Sequence, residues 1–479
     1  MRRTKILATV GPATDPPGRL EAVLRAGADA LRLNFSHGSE EDHRRSLRRI
    51  RRAASAVGKE VAVVADLPGP KIRLGTLAAG SISLAAGQSW AIDPDLAPGD
   101  ERRVGLESPS FADLARTGDP VLLGDGSVSL VVTGTSPHRL DLRVTNGGVV
   151  RSQAGAFFPR ARLRAAAFGP ADRAAAAVAL EAGVDYLALS FVRDRTDLES
   201  ARRWLDAQAN GREVRLIAKI ERAEALAAID GILDRADAIM VARGDLGIEV
   251  PLERLALEQK RLIRLANRRG RLVIVATQML LSMVDNPRPT RAESTDVANA
   301  VLDGTDAVML SEESAVGHYP VEAVEWLARI AAATEPAFDP RPVRDALAAG
   351  PEDDPRPSEE SVAGAAVALA ESVGAIGIVV PTHSGRTARL VARLRPTCPI
   401  VAISRLARTR RGLALARGVE ARASPTVGRL PALRTEAVRL ARAAGLSGPG
   451  PLVLTAGFPV EGTPTNLVTL VETRPARRR

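Results

Sequence analysis

Short apolar runs, each closed by polar residues and separated from the next by a helix-length stretch, dominate this chain. The clearest case is residues 214–249. Val214–Ala218 runs into Lys219-Ile220-Glu221, Ala225–Leu233 repeats apolar residues at helical spacing, and Ala238–Ala242 runs into Arg243-Gly244-Asp245. Two such runs joined by a helix predict neighbouring parallel strands, whose polar ends emerge on one sheet edge. The same unit recurs. Ile6–Val10 leads to Gly11-Pro12, Ala30–Ser36 to His37-Gly38, Val61–Ala65 to Asp66, and Tyr186–Leu189 to Ser190-Phe191. Leu272–Ala276 leads to Thr277-Gln278, and Asp306–Leu310 to Ser311-Glu312-Glu313. Helical patterns near 18–26 and 39–57 lie between the early runs, the second opened by Ser39 and Asp42 in capping-box spacing. Eight strands alternating with helices predict a closed (β/α)8 barrel, whose chemistry sits at the strand carboxyl ends. Asn34, Asp66, Ser190, Lys219, Glu221, Asp245, Thr277 and Ser311 all fall there.

The pattern breaks between about 71 and 165. Gly124-Asp125-Gly126 and Asn146-Gly147-Gly148 mark turns, and Ser127–Thr133 and Leu140–Thr145 alternate like half-buried strands. This reads as a small β-barrel or sandwich inserted in the larger domain, a candidate mobile cap. Thr290 and Glu293 in Asn286–Glu293 read as a helix start with a mainly structural role. Residues 339–358, rich in Pro and Asp, read as a linker. Beyond it a second α/β pattern places strands at Ala375–Val380, Pro399–Ile403, Leu452–Thr455 and Leu467–Leu470. The predicted fold class is therefore α/β: a TIM barrel (1–70 and 166–345), an inserted small β-barrel domain (71–165) and a C-terminal α/β domain (346–479).

Composition narrows the function. A length of 479 residues fits roughly three domains. One cysteine, Cys398, excludes an intrachain disulfide and fits a reducing compartment. No apolar run approaches the ~20 residues of a membrane span, and the basic N-terminus has too short an apolar segment for a secretion signal. The expectation is a soluble, cytoplasmic protein without a membrane partner. The net charge of +10 raises nucleic acid as a partner, but aromatics are only 3% and the basic residues are dispersed, so no nucleic-acid role is expected. A basic surface still attracts anionic metabolites. Only Lys5, Lys59, Lys71, Lys219 and Lys260 are lysines, and the remaining 61 basic residues are Arg. Where Arg is the habit, a lysine marks a place that wants a compact ammonium rather than a planar fork. That singles out Lys219 and Lys71.

Lys219, Glu221 and Asp245 place one amine and two carboxylates at adjacent strand ends. Two carboxylates suit Mg²⁺, which leaves its remaining positions to water and substrate phosphate, and the amine can stabilise charge on a transferring group. A structural ion pair is the competing reading of Lys219-Ile220-Glu221; Gly244 and Gly247 flanking Asp245 argue against it, because glycine permits close approach of a ligand. Thr382-His-Ser-Gly-Arg-Thr387, between strand and helix, can present N–H groups and hydroxyls to a phosphate. An ordinary capped turn explains the same residues equally well.

The segments TKILATVGPAT (4–14), LRLNFSHG (31–38), GPKIR (69–73), SFVR (190–193), IAKIE (217–221), IMVARGDLGIEVP (239–251), ATQML (276–280), NPRPTRAE (286–293), DVANAVLDGTDAVMLS (296–311) and SGRTARLVARLRP (384–396) resemble the pyruvate kinase family over essentially the whole chain. The runs around 239–311 are the most specific; the inserted domain and the last 80 residues are looser. The resemblance implies phosphoryl transfer from phosphoenolpyruvate to ADP. Glu221 and Asp245 would hold Mg²⁺, or Mn²⁺ in its place. Lys219 would stabilise the phosphoryl group in flight, Arg32 would bind the substrate phosphate, and the N–H groups of Gly244 and Asp245 the substrate carboxylate. Thr277 would assist protonation of the enolate. Asn34, Phe35, Ser36, His37 and Arg73 would contact the nucleotide, and Thr382, Ser384, Gly385 and Thr387 a sugar-phosphate or nucleotide effector. A homotetramer is implied.

The sequence also departs from the family. A monovalent-cation pocket is implied at Asn34, Ser36, Asp66 and the main chain of Leu67, but Lys71 stands where potassium-dependent members carry Glu. Its ammonium is expected to substitute for K⁺, and Leu67 and Leu74 match that subgroup, although Pro68 is less usual. Ala171 replaces a basic residue of the nucleotide site, with Arg173 nearby, and Ser311-Glu312-Glu313-Ser314 replaces Ser-Gly-Glu-Thr. Two other readings compete with an active kinase. A non-catalytic metabolite-sensing relative would have lost some of Arg32, Lys219, Glu221, Asp245 and Thr277, all of which are present. A metal-dependent pyruvate aldolase would need neither the insert nor the C-terminal loop.

Overall fold

Period-two burial along eight short strands builds the centre of the molecule. In the computed structural model these are β1 (Lys5–Thr9), β2 (Ala30–Asn34), β3 (Ala62–Asp66), β4 (Tyr186–Leu189), β5 (Arg215–Ile220), β6 (Ala238–Ala242), β7 (Leu272–Ala276) and β8 (Ala307–Leu310). The structure describes residues 2–473 apart from 109, 125, 160–165, 349–356, 425–429, 447, 449 and 458–462. Each barrel strand pairs in parallel with its sequence neighbours, and β8 closes on β1. Alternate residues point inward, so Leu7, Ala30, Val64, Tyr186, Ile217, Met240 and Ile274 share the barrel interior. The residues between them, such as Ile6, Leu31, Val63, Leu187, Leu216 and Ile239, pack against the surrounding helices. The capping boxes read at Ser39/Asp42 and Thr290/Glu293 both form. Glu293 also accepts from the backbone N–H of Ser282 at 2.7 Å, which ties this helix start to the preceding loop.

Three local expectations need correction. The helix read over Ala225–Leu233 is two short helices, Ala223–Ala227 and Ile229–Arg235, meeting at Ala228. The junction still buries Ala225, Ile229, Ile232 and Leu233, which is why the apolar spacing looks continuous. Strand β5 continues through Lys219 to Ile220, beyond the apolar run. The linker contains a helix, Arg341–Ala348. Tertiary contacts explain it: Arg344 grips both carboxylate oxygens of Glu371 at 2.6 Å and donates to the Leu394 and Arg395 carbonyls. Asp125 of the predicted turn, residues 160–165 at the end of the insert and residues 349–356 of the linker lie outside the described residues.

The insert has its own core, with Trp90, Phe111, Ile92 and Leu142 inside. Six of its strands form one sheet, and Ser81–Leu84 pairs with Gly148–Arg151 as a ribbon over the same core. Gly69 opens the passage into it at φ +66°, where a Cβ would lie 2.7 Å from that of Ser190. Its N–H donates to Asp172 at 2.8 Å, so the entry to the cap is pinned to the barrel.

The C-terminal domain is a five-stranded sheet ordered Val419–Ala423, Ile400–Ser404, Gly377–Pro381, Leu452–Ala456 and Leu467–Val471. Val419–Ala423 escaped the sequence reading because Glu420 and Arg422 interrupt it, as suits an edge strand. This domain caps the barrel floor. Arg395 binds Asp306 through both carboxylate oxygens at 2.5 and 3.0 Å, and both side chains are buried. Arg410 pairs with Glu60 at 2.5 Å and Arg411 with Asp185 at 2.8 Å. Asp306→Ala would strand the Arg395 guanidinium without a counter-charge. Urea unfolding is expected to show a loss of about 3–5 kcal/mol, the usual cost of breaking a buried pair from one side.

Candidate active site

The inward columns of the strands end in polar side chains at the barrel mouth, because each lies two residues beyond an interior apolar residue. Ala30 is followed by Arg32 and Asn34, Val64 by Asp66, Ala188 by Ser190, and Ile217 by Lys219 and Glu221. Asp66 is the hub. It is 1% exposed; one oxygen accepts from Arg32 Nε at 2.6 Å and the other lies 3.1 Å from Lys219 Nζ. Lys219 also lies 2.9 Å from Glu221 Oε1 and donates to Ser190 Oγ at 2.7 Å. The Ser190 hydroxyl in turn donates a hydrogen bond to the Leu67 carbonyl at 2.7 Å. Burial alone would push the Lys219 ammonium toward neutrality, but the charges of Asp66 and Glu221 outweigh it and raise its pKa. Burial would likewise raise the Asp66 carboxyl, yet Arg32 and Lys219 hold it below the usual carboxylate range.

Glu221 is buried, and its second oxygen accepts the Phe191 N–H at 2.7 Å. Its pKa is raised, first by burial and then by the charge of Asp245, with Lys219 opposing. A cation between the two carboxylates would relieve that mutual repulsion. Among the described residues no group of three or more His, Cys, Asp or Glu is gathered for an ion. The donor set is thus two carboxylates, which fits a hydrated Mg²⁺ and not a site made wholly of protein ligands. Asp245 meanwhile accepts from Lys71 Nζ at 2.8 Å.

Thr277, just past β7, has φ +70°, and Gln278 has φ +55°. A β-branched residue in the left-handed region costs on the order of 1–3 kcal/mol, and such strain gathers at functional sites. The Thr277 hydroxyl accepts the Gly244 N–H at 2.8 Å, joining the ends of β6 and β7. The Gly244 N–H expected to take a substrate carboxylate is therefore already directed at Thr277.

Comparison with known proteins agrees with this fold. The pyruvate kinase barrel domain matches residues 1–324 and the pyruvate kinase alpha/beta domain residues 360–471. The chain belongs to the pyruvate kinase family. It is 40% identical over 471 residues to a pyruvate kinase of Geobacillus stearothermophilus, covering 98% of this chain and 80% of the relative. It is 42% identical over 420 residues to one of Mycobacterium tuberculosis, covering 88% and 87%. A crystal structure of a pyruvate kinase from Cryptosporidium parvum superposes with a TM-score of 0.89 at 34% identity, covering 99% of this chain and 96% of that one. Like these relatives, the chain is a phosphotransferase. No helix among the described residues is long and apolar enough to cross a membrane.

The remaining pyruvate kinase positions fall into place unevenly. Asn34 ends β2, and Phe35, Ser36 and His37 follow it in a tight turn: Asn34 Oδ1 accepts the Ser36 N–H at 3.2 Å, and Phe35 stacks on His43 with ring centres 3.8 Å apart. His37 is exposed. Arg73 belongs to the cap, where it donates to the Gln153 carbonyl at 3.4 Å. Ala171 is exposed and Arg173 lies over the Phe168 ring at 5.8 Å. Lys71 contacts Asp245 and not the Asn34, Ser36 and Asp66 group; the Asp66 charge is met by Arg32 and Lys219 instead.

In the C-terminal loop, Thr382 Oγ1 accepts the Gly385 N–H at 3.0 Å, Ser384 Oγ the Arg386 N–H at 3.4 Å, and Thr387 bonds Thr465 at 2.8 Å. These hydroxyls form a capped turn as they stand. Gly385 has φ +81° there.

Three supports went unnoticed in the sequence. Thr9 accepts from Arg32 at 3.2 Å, and period-two counting from Leu7 would have found it. Glu313 is buried and accepts the Leu280 and Ser311 N–H groups, fixing the ends of β7 and β8; Glu312 beside it is exposed. Asp172 pins the cap entry, and no local pattern marks it.

Proposed function

We propose that this chain is a Mg²⁺-dependent cytoplasmic enzyme that moves the phosphoryl group of phosphoenolpyruvate to ADP, giving pyruvate and ATP, the last step of glycolysis. The observation that carries the reading is the Lys219 ammonium, fixed between Asp66 and Glu221 beside the Arg32 guanidinium. Phosphoryl transfer asks for positioned positive charge and little covalent chemistry from the protein.

Arg32, locked by Asp66 and Thr9, receives the phosphate of phosphoenolpyruvate. Lys219 is held protonated and meets charge on the group in flight. An ADP oxygen forms the new P–O bond as the bond to the enol oxygen breaks, leaving the enolate of pyruvate. Thr277 would assist protonation of the enolate carbon, directly or through water. Glu221 and Asp245 would hold Mg²⁺, which when bound neutralises phosphoryl oxygens. Asn34 to His37 and Arg73 would line the nucleotide side.

The Asp66 carboxylate is already balanced by two resident cations and Lys71 brings a third to Asp245, which supports turnover without K⁺. Assembly into a homotetramer is proposed on the family resemblance alone. An effector phosphate at Thr382, Ser384, Gly385 and Thr387 is proposed on the loop's chemistry alone.

A coupled pyruvate assay is expected to show turnover with phosphoenolpyruvate, ADP and Mg²⁺, none after chelation, and full activity when K⁺ is exchanged for a bulky organic cation; collapse on that exchange would refute the role given to Lys71. Lys219→Met is expected to keep phosphoenolpyruvate binding and lose about 10²–10³-fold in turnover, the scale for one preorganised donor. Near-normal turnover in that variant would overturn the assignment.

A further inference from the structure

Thr277 holds an unfavourable backbone conformation, and something must hold it there. Its carbonyl oxygen accepts from Arg243 Nη2 at 2.8 Å. The same nitrogen lies 2.9 Å from Met279 Sδ, two residues on, so one guanidinium edge spans both sides of the left-handed pair Thr277-Gln278. The other edge is anchored from behind. Nη1 lies 2.7 Å from one Asp296 carboxylate oxygen and 2.6 Å from the other, and donates to Gln259 Oε1 at 3.3 Å. Asp296 belongs to the helix Arg291–Leu302 and Gln259 to the helix Leu252–Arg268. The Arg243 side chain is only 12% exposed.

We infer that Arg243 is a positioning residue for the enolate-protonation step, acting through Thr277. This rests on the role given to Thr277 above. Arg243 begins the segment that carries Gly244 and Asp245, and the Gly244 N–H returns to the Thr277 hydroxyl. A closed ring results: Arg243 fixes the Thr277 carbonyl, and Thr277 fixes the backbone beside Arg243. The hydroxyl is thereby aimed, and Asp245 is placed from the same turn. A planar fork is needed, because one group must reach a carbonyl and a sulfur on one segment, a carboxylate on a second and an amide oxygen on a third. A lysine ammonium cannot span them. Without the clamp, Thr277 is free to relax toward an ordinary backbone conformation, and its hydroxyl leaves the line to the substrate carbon.

The test is a double-substitution cycle on the full-length enzyme. Arg243→Gln is expected to lower turnover by about 10–10²-fold, the range for a small misplacement of a reacting group. Exchange of the pyruvate methyl protons with deuterated solvent, which reports the protonation step alone, should fall by the same factor. The KM for phosphoenolpyruvate should move far less. In the Thr277→Ala background the same substitution should cost almost nothing further, because residues acting as one unit are not additive. Asp296→Asn, which keeps the guanidinium and loosens its anchor, should show a smaller loss of the same kind and carries the test if Arg243→Gln does not fold. Turnover within about twofold of the parent enzyme, or losses that multiply in the double variant, would overturn the inference. A parent enzyme without pyruvate formation would instead overturn the reading of the reaction.

Discussion

A buried ammonium is stable at the mouth of this barrel only because two buried carboxylates face it. Taking charges out of water costs several kcal/mol per ion even after the protein relaxes. Lys219 between Asp66 and Glu221, and Arg32 on the far side of Asp66, share that cost among four groups of balanced charge. Lys71 and Asp245 add a further balanced pair at the rim. The resting site is therefore electrically neutral, with its cations already oriented.

The same sheet register that gathers these groups at the mouth sets the opposite end. There the strand starts present acids and the C-terminal domain answers with arginines: Asp306 with Arg395, Asp185 with Arg411, Glu60 with Arg410 and Glu213 with Arg408. Part of the Arg-rich composition thus has a structural place, binding one domain to the floor of another. Between floor and mouth lies an apolar interior of small and branched side chains, continuous with the C-terminal domain through residues such as Leu413 and Leu415. The mouth and the floor are joined by parallel strands only a few residues long.

The barrel was legible because each strand announces itself as an apolar run closed by polar residues. Lys219, Glu221 and Asp66 could be placed at one edge from that pattern alone. The pattern fails where a strand's partners are polar or a helix depends on distant contacts. Val419–Ala423 carries charges because it lies at a sheet edge, and Arg341–Ala348 is helical because Glu371, far along the chain, receives Arg344. The anchors of the loops at the barrel mouth were hidden for the same reason. Glu313, Asp172 and Arg243 look like ordinary members of helix starts until the fold carries them to the backbone groups they hold.

The sequence by itself determined which residues could carry charge to one end of a parallel barrel, since side-chain alternation and strand direction are local properties. Tertiary structure decided which of those charges meet. Lys71 reaches Asp245 and not the neighbours of Asp66, the Gly244 N–H turns to Thr277, and two consecutive left-handed residues are held by an arginine anchored on two helices. Hydrogen bonds and ion pairs act over about 3 Å, and no periodicity along a chain can fix distances of that size between segments so far apart in sequence.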